Sequence, residues 1–168
     1  MKQQWIWGLG LGFGVAVGLG SIVATPLSSV AQLVVAQANF DSVSLSAGFS
    51  AAQGTLRGRT GGQVSLPSIV ANRDRANVIC SGFGSSTPDH IITLEQDFSR
   101  LTLQVNSNGN DSALVVRGPD GVRCGSDISR TNLDDQLTGN DWSAGSYEVW
   151  VGSSVAGDRF GYTLNIGQ

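Results

Sequence analysis

His90 is the only histidine in the chain, so a Ser-His-Asp hydrolase would have to use it. Serines and aspartates are plentiful, but no G-x-S-x-G elbow is present. Gly82-Phe83-Gly84-Ser85-Ser86 has neither that spacing nor an evident strand before it. His90 follows Pro88-Asp89 at the start of an apolar run, where an imidazole can bond a turn carbonyl. A structural histidine is expected there, and no catalytic residue is assigned. Zinc would need more than one histidine and two cysteines. Calcium needs only oxygens, and Asp127, Asp134, Asp135 and Asp141, with Asn132 and Asn140, could supply them from one region. No D-x-D-x-D-G spacing supports that set, and a solvated acidic loop is the competing reading. No other cofactor is expected.

The remaining candidates are aromatic. In Gly145–Gly152, Tyr147, Val149 and Val151 alternate with Ser146, Glu148 and Trp150. Trp150 therefore shares a face with Glu148, and Trp142 lies in the loop just before. Exposed, these three would form a stacking or anchoring surface for a sugar or protein ligand. The alternative is that the N-terminal segment covers Trp150. Asp111 and Asp120 have a simpler role, bonding the backbone of their own Asn- and Gly-rich turns.

The N-terminus bears on where this chemistry would operate. Trp5 to Val23 is almost free of polarity, and Ala36-x-Ala38 is a small-residue cleavage pattern. A signal peptide over 1–38, cut before Asn39, is expected; an uncleaved membrane anchor is the alternative. Residues 39–168 then form one domain in the periplasm or outside the cell. Lys2 is the only lysine, so this domain has nine arginines against 13 acids, a net charge of −4. Without lysine, Ser-Lys chemistry is excluded. The arginines are scattered along the chain, which argues against nucleic acid, and the acidic balance argues against an anionic membrane surface. In an exported protein the two cysteines, Cys80 and Cys124, are expected to form a disulfide.

The elements that would position these residues are short and period-two. Leu101, Leu103 and Val105 alternate with polar residues, and Leu114 and Val116 alternate with Ala113, Val115 and Arg117. The turn-rich loop between them suggests a central hairpin. Gly54–Leu66 suggests two short strands around a Gly61-Gly62 turn. Ile91–Leu94, Val122–Cys124, Gly145–Gly152 and Phe160–Ile166 read as further strands. Pro67–Pro88 reads as a long loop with a short strand near Val78, and Gly125–Asn140 as acidic and irregular. No segment beyond the leader carries a helical period. About eight short strands without helices predict an all-β antiparallel sandwich.

The run from Phe98 to Ile166 resembles the bacterial pre-peptidase C-terminal domain. The resemblance rests on Leu101-x-Leu103-x-Val105, Asp111-x-x-Leu114, Gly118-Pro119-Asp120-Gly121, Gly145-x-Tyr147-x-Val149-x-Val151 and Gly161-Tyr162-x-Leu164. With Cys80, Pro88-Asp89-His90 and Cys124, the pattern is similar to a stand-alone cyanobacterial secreted form. The resemblance implies a jelly-roll-like sandwich with a non-catalytic role in secretion, stability, or binding of a protein or polysaccharide. Its motifs are structural, and no peptidase precedes the sandwich in this chain. A binding module at the cell envelope is therefore expected. A ligand-free structural protein and a small hydrolase using His90 are the alternatives.

Overall fold

The structure, a computed structural model, describes residues 37–168. All but the last two residues of the expected leader lie outside that range. Twelve strands and one short helix follow in order: β1 (Val43–Leu45), β2 (Thr55–Arg59), β3 (Val64–Ser65), α1 (Leu66–Ile69), β4 (Phe83–Gly84), β5 (His90–Leu94), β6 (Phe98–Asn106), β7 (Ser112–Gly118), β8 (Gly121–Cys124), β9 (Ser126–Ser129), β10 (Asn132–Trp142), β11 (Gly145–Ser153) and β12 (Gly161–Gly167). They form two sheets. One runs β1-β5-β11-β4-β3, with β7 on β11 and β8 on β7; the other runs β2-β12-β6-β10-β9. Every pairing is antiparallel except β1 on β5. The sandwich class is as expected.

Apolar residues of alternate parity meet between the sheets. Leu94, Leu114, Val116, Tyr147, Val149 and Val151 come from one sheet; Leu101, Leu103, Val105, Leu137, Leu164 and Ile166 come from the other. A second cluster lies on the opposite side of the larger sheet. There Ala113, Val115, Cys124 and Trp150 pack with Leu66 and Cys80, flanked by Ile69, Val70 and Val122. Thus β7 and β11 are apolar on both faces, and the Leu66–Cys80 segment contributes the outer apolar layer. The Cys80–Cys124 disulfide, with Cα atoms 5.3 Å apart, ties that segment to β8.

Several local expectations change. The central hairpin does not form, because β6 and β7 lie in different sheets. The outer positions of β6 (Arg100, Thr102, Gln104) suit water, whereas those of β7 (Ala113, Val115) need apolar cover. The connection crosses between sheets through Asn108 and Gly109, both at positive φ. Likewise β2 and β3 do not pair around Gly61-Gly62: β2 pairs with β12 and β3 with β4. Gly62, at φ +106°, lies so close to Gly84 that a Cβ would sit 2.1 Å from its carbonyl oxygen. Only an isolated bridge, Arg73 to Ile79, occurs near Val78. The Pro67-containing α1 turn was not expected.

The stretch expected to be irregular contains β9 and β10, the latter 11 residues long. Its inward positions Asp135, Leu137 and Gly139 put one apolar residue between a carboxylate and a glycine, so the alternation of the middle of the strand is invisible in the sequence. Asp135 is held inward by Leu114 N–H, which donates to its Oδ2 at 2.7 Å. The Ser112 hydroxyl also accepts from Asp135 N–H at 2.8 Å.

Candidate binding face

His90 sits at the start of β5 with no exposed surface. Its Nδ1 lies 2.7 Å from the Asp41 carbonyl oxygen, which can only accept, so Nδ1 carries the proton. Nε2 is then the acceptor for the Tyr162 hydroxyl at 2.9 Å. Burial lowers the His90 pKa, partly offset by the Asp41 carbonyl and carboxylate, which favours this neutral tautomer. The imidazole has no lone pair left for a substrate proton. Beside it, Asp89 is 4 % exposed; it accepts from Val151 N–H at 2.8 Å and from Asn39 Nδ2 at 3.1 Å. Burial outweighs these bonds and pushes its pKa up to about 6.

Both tryptophans are buried, so the exposed stacking surface does not form and Trp150 is covered, as in the alternative reading. Trp150 is 1 % exposed under the Leu66–Cys80 layer, because the outer face of β11 is covered along with that of β7. The cover comes from this mid-chain segment and not from the N-terminal one. Trp142 ends β10 and does not lie in a loop; it is 2 % exposed. Its indole donates to Gly139 O at 2.9 Å, and the Arg123 guanidinium stacks 4.2 Å from its ring centroid. Glu148 pairs with Arg117 at 2.6 Å, and that arginine lies over the Trp150 ring. The trio is a packed support and offers no stacking surface.

The four carboxylates proposed for calcium do not converge. Asp127 and Asp135 face one another across β9 and β10, and Asp111 borders the same cleft, of about 510 Å³. Asp134 turns away and binds the Ser107 amide and hydroxyl. Asp141 lies six residues further along β10 than Asp135, roughly 20 Å at strand rise. Among the described residues no group of three His, Cys, Asp or Glu side chains is placed to hold a metal ion. Asp135 is raised to about 7, first by burial and then by Asp127, Asp111 and Asp134, against the Leu114 hydrogen bond.

Asp120 does more than close its turn. It accepts from Ser143 N–H and Oγ and from the Tyr147 hydroxyl, at 2.9, 2.6 and 2.8 Å. The Ser143 bonds come first in holding its pKa down to about 2. This network joins the β7–β8 turn to the end of β10 and start of β11.

One extended surface has no apolar cover among the described residues: the outer face of the five-stranded sheet. Strand register places Gln136, Gln104, Asn165 and Thr55 in one row across β10, β6, β12 and β2. Thr138 and Thr102 form a neighbouring row, and their hydroxyls are 3.1 Å apart. Asn106, Thr163 and Arg57 form another, and Asn140 stands beside Arg100. All these side chains are exposed or half-buried. Successive rows are about 7 Å apart, two residues of strand rise. None of these positions carries a carboxylate; the next residue of that parity on β10, Asp134, is buried on Ser107.

Clefts border this face at both margins. One, of about 470 Å³, involves Arg57, Asn106 and Thr163; the other, of about 400 Å³, involves Arg75, Arg123, Gln136, Thr138 and Asn140. Arginines that are scattered in the sequence thus share one surface without clustering: Arg57 and Arg59 lie on β2, Arg100 lies on β6 three rows from Arg57, roughly 20 Å along the strands, and Arg75 and Arg123 border the cleft beside β10. Sequence reasoning missed the surface because each polar residue by itself reads as a solvated strand position. The signal available was the run of Thr, Asn, Gln and Arg at every second position of Arg100–Asn106 and Gln136–Asn140. No family model, curated protein or solved structure matches this chain.

Proposed function

We propose that the protein is a non-catalytic binding module exported to the cell envelope, a stand-alone relative of the pre-peptidase C-terminal domain. Its contact surface is the outer face of the five-stranded sheet. The observation that carries this reading is the difference between the two outer faces. One is sealed by Leu66, Cys80 and their neighbours; the other presents rows of amide, hydroxyl and guanidinium groups to water. Such a face can exchange bonds to water for bonds to a ligand without rearranging the core. The engagement of both His90 nitrogens supports a non-catalytic role over a hydrolase. The disulfide is consistent with an oxidising compartment, and no helix among the described residues is long and apolar enough to cross a membrane.

The test is retention of the full chain, expressed with export, on envelope polysaccharide, peptidoglycan and solubilised envelope proteins. Specific retention on one fraction is expected, and T102E/T138E should abolish it at temperatures where the variant remains folded; its two carboxylates face one another across β6 and β10, so its melting temperature falls somewhat. Retention by no fraction, or retention indifferent to that double substitution, overturns the reading.

A further inference from the structure

The polar face differs in charge from the molecule that carries it. Residues 39–168 have a net charge of −4, yet the positively charged groups on and beside this face are not balanced by carboxylates within its rows. Among the described residues there are two ion pairs, Arg117–Glu148 and Arg123–Asp120. Arg57, Arg59, Arg75 and Arg100 take part in neither. Arg75 and Arg123 border one cleft without an intervening acid bonded to both. Asp74, in the same cleft, spends its oxygens on the amides of Ala76, Val78 and Cys124.

Arg123 is 5 % exposed. Its guanidinium donates to the carbonyls of Asn140 and Asp141, and its Nε–H meets no acceptor among the described residues. Burial and then the like charge of Arg75 lower its pKa, against Asp120, which pairs with it at 3.6 Å. Arg123 is thus already engaged, and Arg75, exposed in the same cleft, is the guanidinium open to an anion; guanidinium groups match carboxylates in two-pronged geometry.

The distribution of charge also distinguishes a polymer from a single anion. The β2 and β10 sides are three strand spacings apart, about 14 Å; Arg57 and Arg59 are exposed on the first and Arg75 beside the second. Between them lie neutral Gln, Asn and Thr rows, which complement hydroxyl groups. The described strand positions of this face carry no Trp, Tyr or Phe on which bases could stack, which disfavours single-stranded nucleic acid.

Resting on the binding-module reading above, we infer that the ligand is an acidic polysaccharide whose sugar carboxylates meet the arginine margins while its hydroxyls lie on the amide and threonine rows. Several dispersed charges, and not one deep site, hold the chain. Binding is therefore salt-sensitive, because the charges are exposed.

The experiment is affinity electrophoresis of the full chain through gels containing polygalacturonate, neutral dextran, polyglutamate or DNA. Polygalacturonate should retard the protein, and dextran should do so at least tenfold more weakly. R75Q and R100Q should each weaken retardation several-fold, and the double variant more. R117Q, on the other sheet, should leave it unchanged. Arg123 is left intact because it supports Trp142. Equal retardation by dextran, lost in T102E/T138E, would overturn the acidic ligand and keep the binding face. Equal or stronger retardation by polyglutamate or DNA would overturn the polysaccharide assignment. Retardation by none of the four, with retention on envelope proteins, would overturn this inference alone. Failure on every polymer and every envelope fraction would overturn both readings.

Discussion

Replacing Asp135 by asparagine should stabilise the protein above neutral pH. Asp135 is 5 % exposed, and burial followed by three neighbouring carboxylates raises its pKa from 3.8 to about 7. The folded state therefore holds a proton that the unfolded state releases near pH 4. The contribution of Asp135 to stability is greatest below that point and falls as pH rises through the window from about 4 to about 7. Three units at about 1.4 kcal/mol each set an upper bound of about 4 kcal/mol on the penalty. Asparagine removes the charge while its amide oxygen still accepts from Leu114 N–H. The weaker neutral hydrogen bond gives back about 1 kcal/mol, leaving a gain of about 2–3 kcal/mol at pH 8. Urea unfolding of wild type and D135N at pH 4, 6 and 8 measures this directly. Asp89, raised to about 6, adds a similar slope to both proteins and cancels in their difference. The reasoning is refuted if D135N is no more stable at pH 8, or if its advantage is as large at pH 4.

Two further substitutions probe the covered face. Replacing Cys80 and Cys124 together by serine opens a link across 44 residues; it should cost roughly 4 kcal/mol on the chain-entropy argument, read as a lower urea midpoint. Trp150→Ala removes the centre of the outer apolar layer and should cost about 3–5 kcal/mol. At temperatures where it remains folded, its retention on envelope fractions should equal wild type, since the proposed contact face lies on the other sheet.

Much of the fold was legible because period-two alternation directly records burial. Leu101, Leu103 and Val105 on one side, and Tyr147, Val149 and Val151 on one side, occupy the core as their spacing requires. Even the split of β7 into Leu114 and Val116 against Ala113 and Val115 reappears as two separate clusters. Alternation says which residues share a face, but not what lies opposite that face. For this reason the spacing separates Trp150 from Tyr147 but leaves open whether Trp150 is exposed or covered. It also conceals strands such as β10, in which a carboxylate occupies an inward position through a hydrogen bond to another strand.

The sequence by itself determined a β-rich domain, the parity of its principal strands and the pairing of its only two cysteines, because these follow from local periodicity and composition. Only the tertiary structure decided which strands share a sheet. That choice depends on which outer faces can be left to water, a property of whole faces rather than of single strands. The same choice put Arg57 and Arg100, 43 positions apart in sequence, onto one carboxylate-free surface. Cross-strand register is a long-range relation, and no local pattern in the chain encodes it.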